Sequence, residues 1–216
     1  TGIPKLDDAN KAGTAQSSKC TLIVTEGDSA KTLAVAGLSV VGRDHYGVFP
    51  LRGKCKNVRD ASVAQLTGNQ EFNDLKKILG LQQGKEYKDV SELRYGRLMI
   101  MTDADNDGSH IKGLILNMID YFWPSLLKLG FVVSMVTPII KASRGNQSKS
   151  FYTDSAFRAW YGNGQSGWRI KYYKGLGTST SAEAREYFKK IEDLTVKFNT
   201  DVMSDKSITL AFDKKK

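Results

Sequence analysis

The sequence predicts an α/β protein with a mainly parallel central sheet and helices on both faces. Short, continuous apolar runs such as "CTLIVT" (20–25) and "RLMIMT" (97–102) are typical of buried strands, because they are too short for most helices and lack polar alternation. Between them lie longer stretches whose apolar residues recur at helical spacing. Strands that alternate with helices in this way favour parallel pairing through crossover connections.

In the first half of the chain, each element has its own local signal. The helix after the first strand begins near Asp28 or Ser29, because either side chain can cap it. Gly80 ends a later helix, as glycine commonly does. The elements predicted after the first helix are a strand at 46–51, helices at 60–66 and 71–79, and the strand at 97–102.

The second half begins with a long helical stretch at 110–129, which breaks near Pro124 because proline lacks a backbone donor. A helix that begins at Thr180 has Glu183 three residues later, which is the signature of a capping box. The elements predicted between them are a strand at 131–140, a flexible turn at 143–150, a helix at 155–161 and a strand at 169–174.

Length and composition are those of a soluble globular protein, with 216 residues, 40% hydrophobic and 25% charged. No apolar run is long enough to span a bilayer, so we expect no membrane partner. Residues 1–19 are polar and read as a lead-in segment, and 20–216 as one domain with a C-terminal extension. Because the chain starts with Thr1 and stops on "DKKK", we expect it to be a fragment of a longer protein.

The net charge of +9, from 32 Lys and Arg against 23 Asp and Glu, favours a polyanionic partner. The carboxylates nevertheless cluster at "DADND" (103–107), away from the excess of basic residues. An acidic pocket on a basic protein indicates metal ions that act on a phosphate backbone. The two cysteines fit no metal spacing and imply no disulfide framework, which favours a reducing compartment.

The acidic cluster predicts a hard-cation site. Asp103, Asp105 and Asp107 follow one predicted strand, and Glu26 in "TEGDSA" ends another. Ligand sites of parallel sheets lie at the carboxyl ends of strands, so these four carboxylates are expected to meet there. A divalent ion removes the mutual repulsion that crowded carboxylates suffer. The alternative is an acidic turn that merely caps the following helix.

An EF-hand is excluded, although the aspartate spacing matches the first half of its loop. That loop needs a bidentate Glu at its twelfth position, and counting from Asp103 this position is Leu114. Two glycine-bearing segments, at 37–44 and 174–180, also fail the P-loop pattern because their lysines are absent or misplaced. The segment at 174–180 precedes a helix and remains a candidate for phosphate contact.

Four motifs in order, "TEGDSA", "PLRGK", "MTDADNDGSHI" and "KYYKGLGTST", resemble the Toprim domain of type IIA DNA topoisomerases, and more closely the eukaryotic enzymes than bacterial gyrase. The resemblance runs nearly end to end and implies a Rossmann-like Toprim fold. It also implies that Glu26, Asp103, Asp105 and Asp107 bind Mg²⁺, for which Mn²⁺ or Ca²⁺ could substitute. Glu26 would additionally serve as general acid or base during religation.

The same resemblance assigns DNA contacts to four basic or polar residues: Lys54, Asn57, Arg52 and Lys174. It places the ATPase region before this segment and the catalytic tyrosine after it in a winged-helix region. ATP would then bind the full-length enzyme and not this segment. Double-stranded DNA as substrate, a homodimer, and a location in the nucleus, or alternatively in a mitochondrion or another DNA-containing organelle, are implied as well. Tyr95 follows an arginine but precedes a strand, so it is not expected to be the nucleophile.

Two other functions stay open from the residues themselves. A self-sufficient Toprim nuclease would attack the phosphodiester with water instead of tyrosine. A non-catalytic DNA- or protein-binding module would use the acidic cluster as a structural cap.

Overall fold

A computed structural model describes residues 1–52, 68–102 and 109–198, except for the side chains of residues 109 and 110. The strands in these ranges are β1 (Thr21–Glu26), β2 (Tyr46–Leu51), β3 (Arg97–Met101), β4 (Val132–Met135), β5 (Ile140–Arg144), β6 (Gln147–Phe151), β7 (Arg169–Tyr172) and β8 (Thr195–Lys197). The α-helices are α1 (Gly27–Val41), α2 (Gln70–Leu79), α3 (Ser109–Phe122), α4 (Pro124–Lys128), α5 (Asp154–Tyr161) and α6 (Ser181–Lys189). The predicted helix at 60–66 lies outside the described residues.

The central sheet has the strand order β2-β1-β3-β4-β8. The first four strands are parallel, and β8 joins the edge antiparallel to β4. Side chains of β1 alternate between two cores, as the pleat requires. Leu22 and Val24 join a core with α2, α3 and α4, whereas Ile23 joins a core with α1 and α6. The prediction of a mainly parallel sheet with helices on both faces is therefore confirmed.

The helix boundaries follow from local chemistry. The Asn69 side chain accepts the backbone N–H of Glu71 and begins α2, and Gly80, at a φ of 76°, ends it. Pro124 occupies the first turn of α4, which explains why the long apolar stretch divides into two helices. The predicted capping box is confirmed, because the Thr180 hydroxyl accepts the N–H of Glu183 and the Glu183 carboxylate accepts the N–H of Thr180.

A second sheet, with strand order β6-β5-β7 and antiparallel pairing throughout, was not predicted. The predicted strand at 131–140 is wrong as a single element, because Pro138 separates β4 from β5 and each belongs to a different sheet. The predicted turn at 143–150 is also wrong in extent. Arg144 pairs with Gln147, which leaves a two-residue loop at Gly145 and Asn146.

The N-terminal segment lies against the central sheet. Asp7 and Val48 of β2 exchange two backbone hydrogen bonds, at 2.9 and 2.8 Å. Asp8 pairs with Arg94 at 2.6 Å and accepts a hydrogen bond from the Tyr95 hydroxyl. Within the described ranges, no helix has the length and apolar character needed to cross a bilayer.

Candidate functional site

The candidate site lies at the carboxyl edge of the central sheet, where β1 ends at Glu26. Glu26 is half-buried and occupies the N-cap position of α1 with extended backbone angles and no side-chain capping hydrogen bond. The predicted cap at Asp28 or Ser29 is wrong, because α1 already begins at Gly27. Gly27 then takes a φ of 77°, a left-handed conformation that glycine adopts without strain. This turn allows the chain to leave the strand and enter the helix at once. Glu26 is therefore the last residue of a buried strand, and the glycine after it sets the direction in which the chain continues into α1.

The register of β1 with β3 is the central observation of the site. The two strands are adjacent and parallel, and Thr25 pairs with Met101 as the last pair of the ladder. Glu26, the last residue of β1, and Thr102, the residue after β3, consequently lie at the same edge of the sheet. The acidic segment begins immediately after Thr102. The predicted ligands Asp103, Asp105 and Asp107 themselves lie outside the described residues.

The part of this edge that is described fits a hard cation. Thr102 is 3% exposed, and its Oγ1 has no hydrogen-bond partner among the described residues. A buried hydroxyl normally has a partner, so an orphaned one indicates a polar or ionic neighbour. The potential metal ligands described at this edge are the Glu26 carboxylate and Thr102 Oγ1. Both offer oxygen atoms, which Mg²⁺ prefers. In the described ranges, no group of three or more His, Cys, Asp or Glu side chains is placed to hold a metal ion.

Arg52 lies at the same edge, because Leu51 of β2 is the register partner of Glu26. Its side chain is exposed, and its backbone N–H donates to both carboxylate oxygens of Glu71, at 3.0 and 2.9 Å. Burial raises the pKa of the Glu71 carboxyl, although the hydrogen bonds from Arg52 oppose that shift. The predicted DNA contacts Lys54 and Asn57 lie in the following segment, outside the described residues.

Glu71 was missed by the sequence analysis, and it holds the start of the basic "PLRGK" segment. The local signal was its place in the first turn of α2, where an acidic residue is usually read as a helix-dipole partner. In the structure its side chain points instead at the backbone of Arg52.

The sequence analysis also gave no role to Lys112 in α3, a lysine that is only 7% exposed. Burial lowers the pKa of the Lys112 ammonium to about 8.

The N-terminal segment brings more positive charge to the start of α1. Lys5 lies 3.6 Å from Asp28, and Lys31 donates a hydrogen bond to the Lys5 carbonyl at 2.8 Å. Lys31 also pairs with Asp7 at 3.2 Å. These contacts join residues 5–7 to the first turns of the helix that follows Glu26.

Lys174, the last predicted DNA contact in the described part, is exposed in the turn after β7. The next residues form a 3-10 turn, Leu176–Thr178, which contacts α1. Leu176 is buried in the same core as Ala30 and Leu33 of α1. The segment that carries Lys174 is therefore anchored on the helix that begins after Glu26.

Tyr95 is buried, which supports the expectation, drawn from its position before β3, that it is not the nucleophile. The residue is 0% exposed, and its hydroxyl donates to Asp8 while it accepts the backbone N–H of Ala9 at 2.9 Å. Burial raises the pKa of the Tyr95 phenol well above its ordinary value. Its role is to hold the N-terminal segment on the sheet.

Two family models match consecutive parts of the chain. The Toprim domain matches residues 21–136, which contain β1 to β4 and the candidate edge. The chain belongs to the Toprim family. The C-terminal associated domain of TOPRIM matches residues 135–216, which include the second sheet and α6.

The Toprim chain is similar to curated relatives over essentially its whole length. It is 58% identical over 221 residues to DNA topoisomerase 2-beta of Homo sapiens, covering 100% of the chain and 14% of the relative. It is 59% identical over 218 residues to DNA topoisomerase 2 of Pisum sativum, covering 98% of the chain and 15% of the relative. The chain thus spans about one seventh of the length of these relatives.

A solved structure gives the same picture for the fold. The crystal structure of the Plasmodium falciparum topoisomerase II DNA-binding, cleavage and re-ligation domain superposes with a TM-score of 0.87 at 54% identity. The match covers 100% of this chain and 30% of that one. The Rossmann-like Toprim fold expected from the motifs is therefore confirmed.

Proposed function

We propose that this chain is the metal-binding Toprim segment of an ATP-dependent, eukaryotic-type DNA topoisomerase II. The observation that carries the proposal is the parallel register of β1 and β3, with Thr25 opposite Met101. It brings Glu26 to the edge where the segment 103–107 begins. The topoisomerase 2 names of relatives that match the chain end to end support the same assignment.

In this proposal the chain supplies the acidic site for transient double-strand DNA cleavage and religation. Glu26, Asp103, Asp105 and Asp107 hold Mg²⁺, which when bound stabilises the negative charge that grows on the leaving oxygen. The half-buried Glu26 also holds or returns the proton of the reacting hydroxyl during religation. The attacking tyrosine belongs to another region of the longer polypeptide, and the burial of Tyr95 supports that division.

The basic residues around the edge position DNA. Arg52 and Lys174 are exposed and contact backbone phosphates, and Lys54 and Asn57 extend that contact. Glu71 acts as a positioning residue, because it fixes the backbone of Arg52 where the basic segment leaves the sheet. The ATPase and winged-helix regions, the homodimer and a nuclear location complete the proposal for the longer protein.

Cleavage by the full-length protein tests the proposal. Glu26→Gln or Asp103→Asn should abolish Mg²⁺-dependent DNA cleavage and leave ATP hydrolysis largely intact. The matched control is Asp28→Asn, which removes a charge two residues from Glu26 on an exposed side chain and should keep cleavage. Cleavage retained in Glu26→Gln and Asp103→Asn would overturn the metal assignment.

Two further measurements separate the rival functions. Efficient nicking of supercoiled plasmid by the 216-residue chain with Mg²⁺ or Mn²⁺ would favour a self-sufficient nuclease. Calorimetric titration with Mg²⁺ would support a non-catalytic module if the native chain and the Glu26→Gln, Asp103→Asn variant gave the same isotherm.

A further inference from the structure

The second sheet is strongly basic. Its three strands read IKASR, QSKSF and RIKY, and they carry five Lys and Arg side chains and no Asp or Glu. Two of the five lie on the face that α5 covers. There Phe151 packs on Phe157, Arg144 lies 4.5 Å from the Trp168 ring and Lys149 lies 5.6 Å from the Trp160 ring.

The other face of this sheet gathers the remaining cations, and we call it the basic face. It consists of Lys141, Ser143, Ser148, Ser150, Arg169 and Lys171. The antiparallel register places Lys141 opposite Lys171, and Ser143 opposite both Ser148 and Arg169. Because side chains alternate along a strand, these residues point to the same side of the sheet. Two cations thus stand directly across from each other, with hydroxyls and a third cation beside them.

Like charges directly opposite one another destabilise an antiparallel pair. Lys171 is relieved by Glu183, whose carboxylate lies 2.9 Å from its ammonium. The same carboxylate also accepts hydrogen bonds from the Tyr173 hydroxyl and from the backbone N–H of Thr180. Glu183 is therefore fully engaged and offsets one of the three cations. Among the described residues, Lys141 and Arg169 pair with no carboxylate.

The basic face lines an open cavity of about 510 Å³. Its wall includes Lys141, Ser143, Ser148, Arg169 and Lys171 of the basic face and Glu183 of α6. In protein–DNA complexes, lysine, arginine and hydroxyl side chains donate hydrogen bonds to phosphate oxygens. A carboxylate ligand would need the same charges, but the chain's net charge of +9 favours a polyanion with regularly repeated charges.

We infer that the basic face binds the phosphate backbone of duplex DNA, as a contact surface separate from the acidic edge. Lys141 and Arg169 each neutralise one phosphate, and the hydroxyls of Ser143 and Ser148 donate hydrogen bonds to phosphate oxygens. Lys171 is already paired with Glu183 and therefore does not add a third phosphate contact. The inference rests on the proposed function, since it takes DNA as the partner. It adds the basic face to the DNA contacts proposed for Arg52 and Lys174.

The test is the salt dependence of duplex binding by the full-length protein. The Lys141→Gln, Arg169→Gln double variant should reduce the slope of log K against log salt by about 1.8, because each phosphate contact contributes about 0.9. The matched control is Arg144→Gln, Lys149→Gln, which removes the same charge from the opposite face and should leave the slope within about 0.5 of the native value. Circular dichroism verifies that both variants are folded.

Several outcomes decide the question. A slope equal in the basic-face variant and the native protein, or reduced as much in the control, would overturn the inference. Tight binding of inorganic phosphate or of polyglutamate that the basic-face variant loses, with an unchanged DNA slope, would assign the face to free phosphate or to an acidic protein segment instead. Metal-dependent cleavage is measured in parallel. A reduced slope without any cleavage would sustain the basic face and reject the topoisomerase function, whereas cleavage with an unchanged slope would do the reverse.

Discussion

The backbone N–H of Arg52 donates hydrogen bonds to both carboxylate oxygens of Glu71, at 3.0 and 2.9 Å. The contact joins the end of β2 to the first turn of α2, across the residues between them. It fixes the point at which the basic "PLRGK" segment leaves the sheet, beside Glu26 in the register. A charged acceptor strengthens such a hydrogen bond and makes its loss more costly.

Glu71→Gln should lower the free energy of unfolding by about 1–2 kcal/mol, because the amide group offers the Arg52 N–H one acceptor and one donor instead of two acceptors. Urea denaturation measures the change. Asp74→Asn is the control, since Asp74 lies one turn further along α2 and, among the described residues, accepts a single surface hydrogen bond, from Gln70. Its effect should stay below about 0.5 kcal/mol. An equal loss in the two variants would contradict a special role for Glu71.

Gly27→Ala should destabilise the chain by about 1–2 kcal/mol, because an L-residue at a φ of 77° is strained. It should also reduce metal-dependent cleavage, since relief of the strain moves Glu26. Gly113→Ala provides a contrast of opposite sign. Gly113 lies inside α3 with no described atom within 4 Å of an added Cβ, so alanine there should stabilise by about 0.5–1 kcal/mol. Thermal and urea unfolding of the two variants should shift in opposite directions, and a shared direction would refute the argument.

Tyr95→Phe should destabilise the chain by about 1–3 kcal/mol, because the partly buried Asp8 carboxylate and the Ala9 N–H each lose a partner. DNA cleavage by the full-length protein should persist, since the hydroxyl is buried. Trapping of the covalent protein–DNA adduct on denaturing gels gives the readout. A folded Tyr95→Phe protein that forms no adduct would make Tyr95 the nucleophile after all.

The environment of Glu183 predicts how the stability of the chain falls at acidic pH. Burial of its carboxyl acts to raise the pKa, but hydrogen bonds from Tyr173, Lys171 and the Thr180 N–H outweigh it and hold the pKa at about 2, against an ordinary value of 4.5. A lowered pKa means that the folded state stabilises the charged form. The contribution is fully present above pH 4.5 and is lost as the pH falls towards 2.

Glu183→Gln should therefore reduce stability at neutral pH by about 1–2 kcal/mol and remove part of the loss between pH 4.5 and 2. Urea unfolding at several pH values measures both effects. Glu186→Gln, an exposed carboxylate on the same helix, is the control and should retain the native pH profile. Parallel pH profiles for native protein and Glu183→Gln would show that the lowered pKa is not a source of stability.

Much of the fold follows from periodicity along the chain. Apolar runs at 21–26, 46–51 and 97–101 became parallel strands because they are buried on both faces. The capping residue Thr180 begins its helix where expected. The second sheet was not predicted, because its strands expose polar side chains on one face. Serines and lysines at 141–150 therefore resemble a turn when they are read in sequence order.

Some residues of the candidate site could likewise be predicted from the sequence, and others could not. Glu26 and the aspartates at 103–107 were recognisable because a strand end followed by acidic residues is a local pattern. Glu71 was not recognisable, because its partner is a backbone N–H of Arg52, 19 residues away, and any side chain can stand at that position. Lys141 and Arg169 are a similar case, since their common face exists once β5 pairs with β7.

By itself the amino-acid sequence determined the order of strands and helices from β1 to β4, the kinds of ligand atom available to a metal ion, and the basic character of the chain, because each depends on residue type and short-range spacing. Tertiary structure alone decided that β1 and β3 are neighbours, that Glu71 holds Arg52, and that Tyr95 is buried. Those relationships join residues far apart in the chain, and they are set by which surfaces pack together to remove apolar area from water.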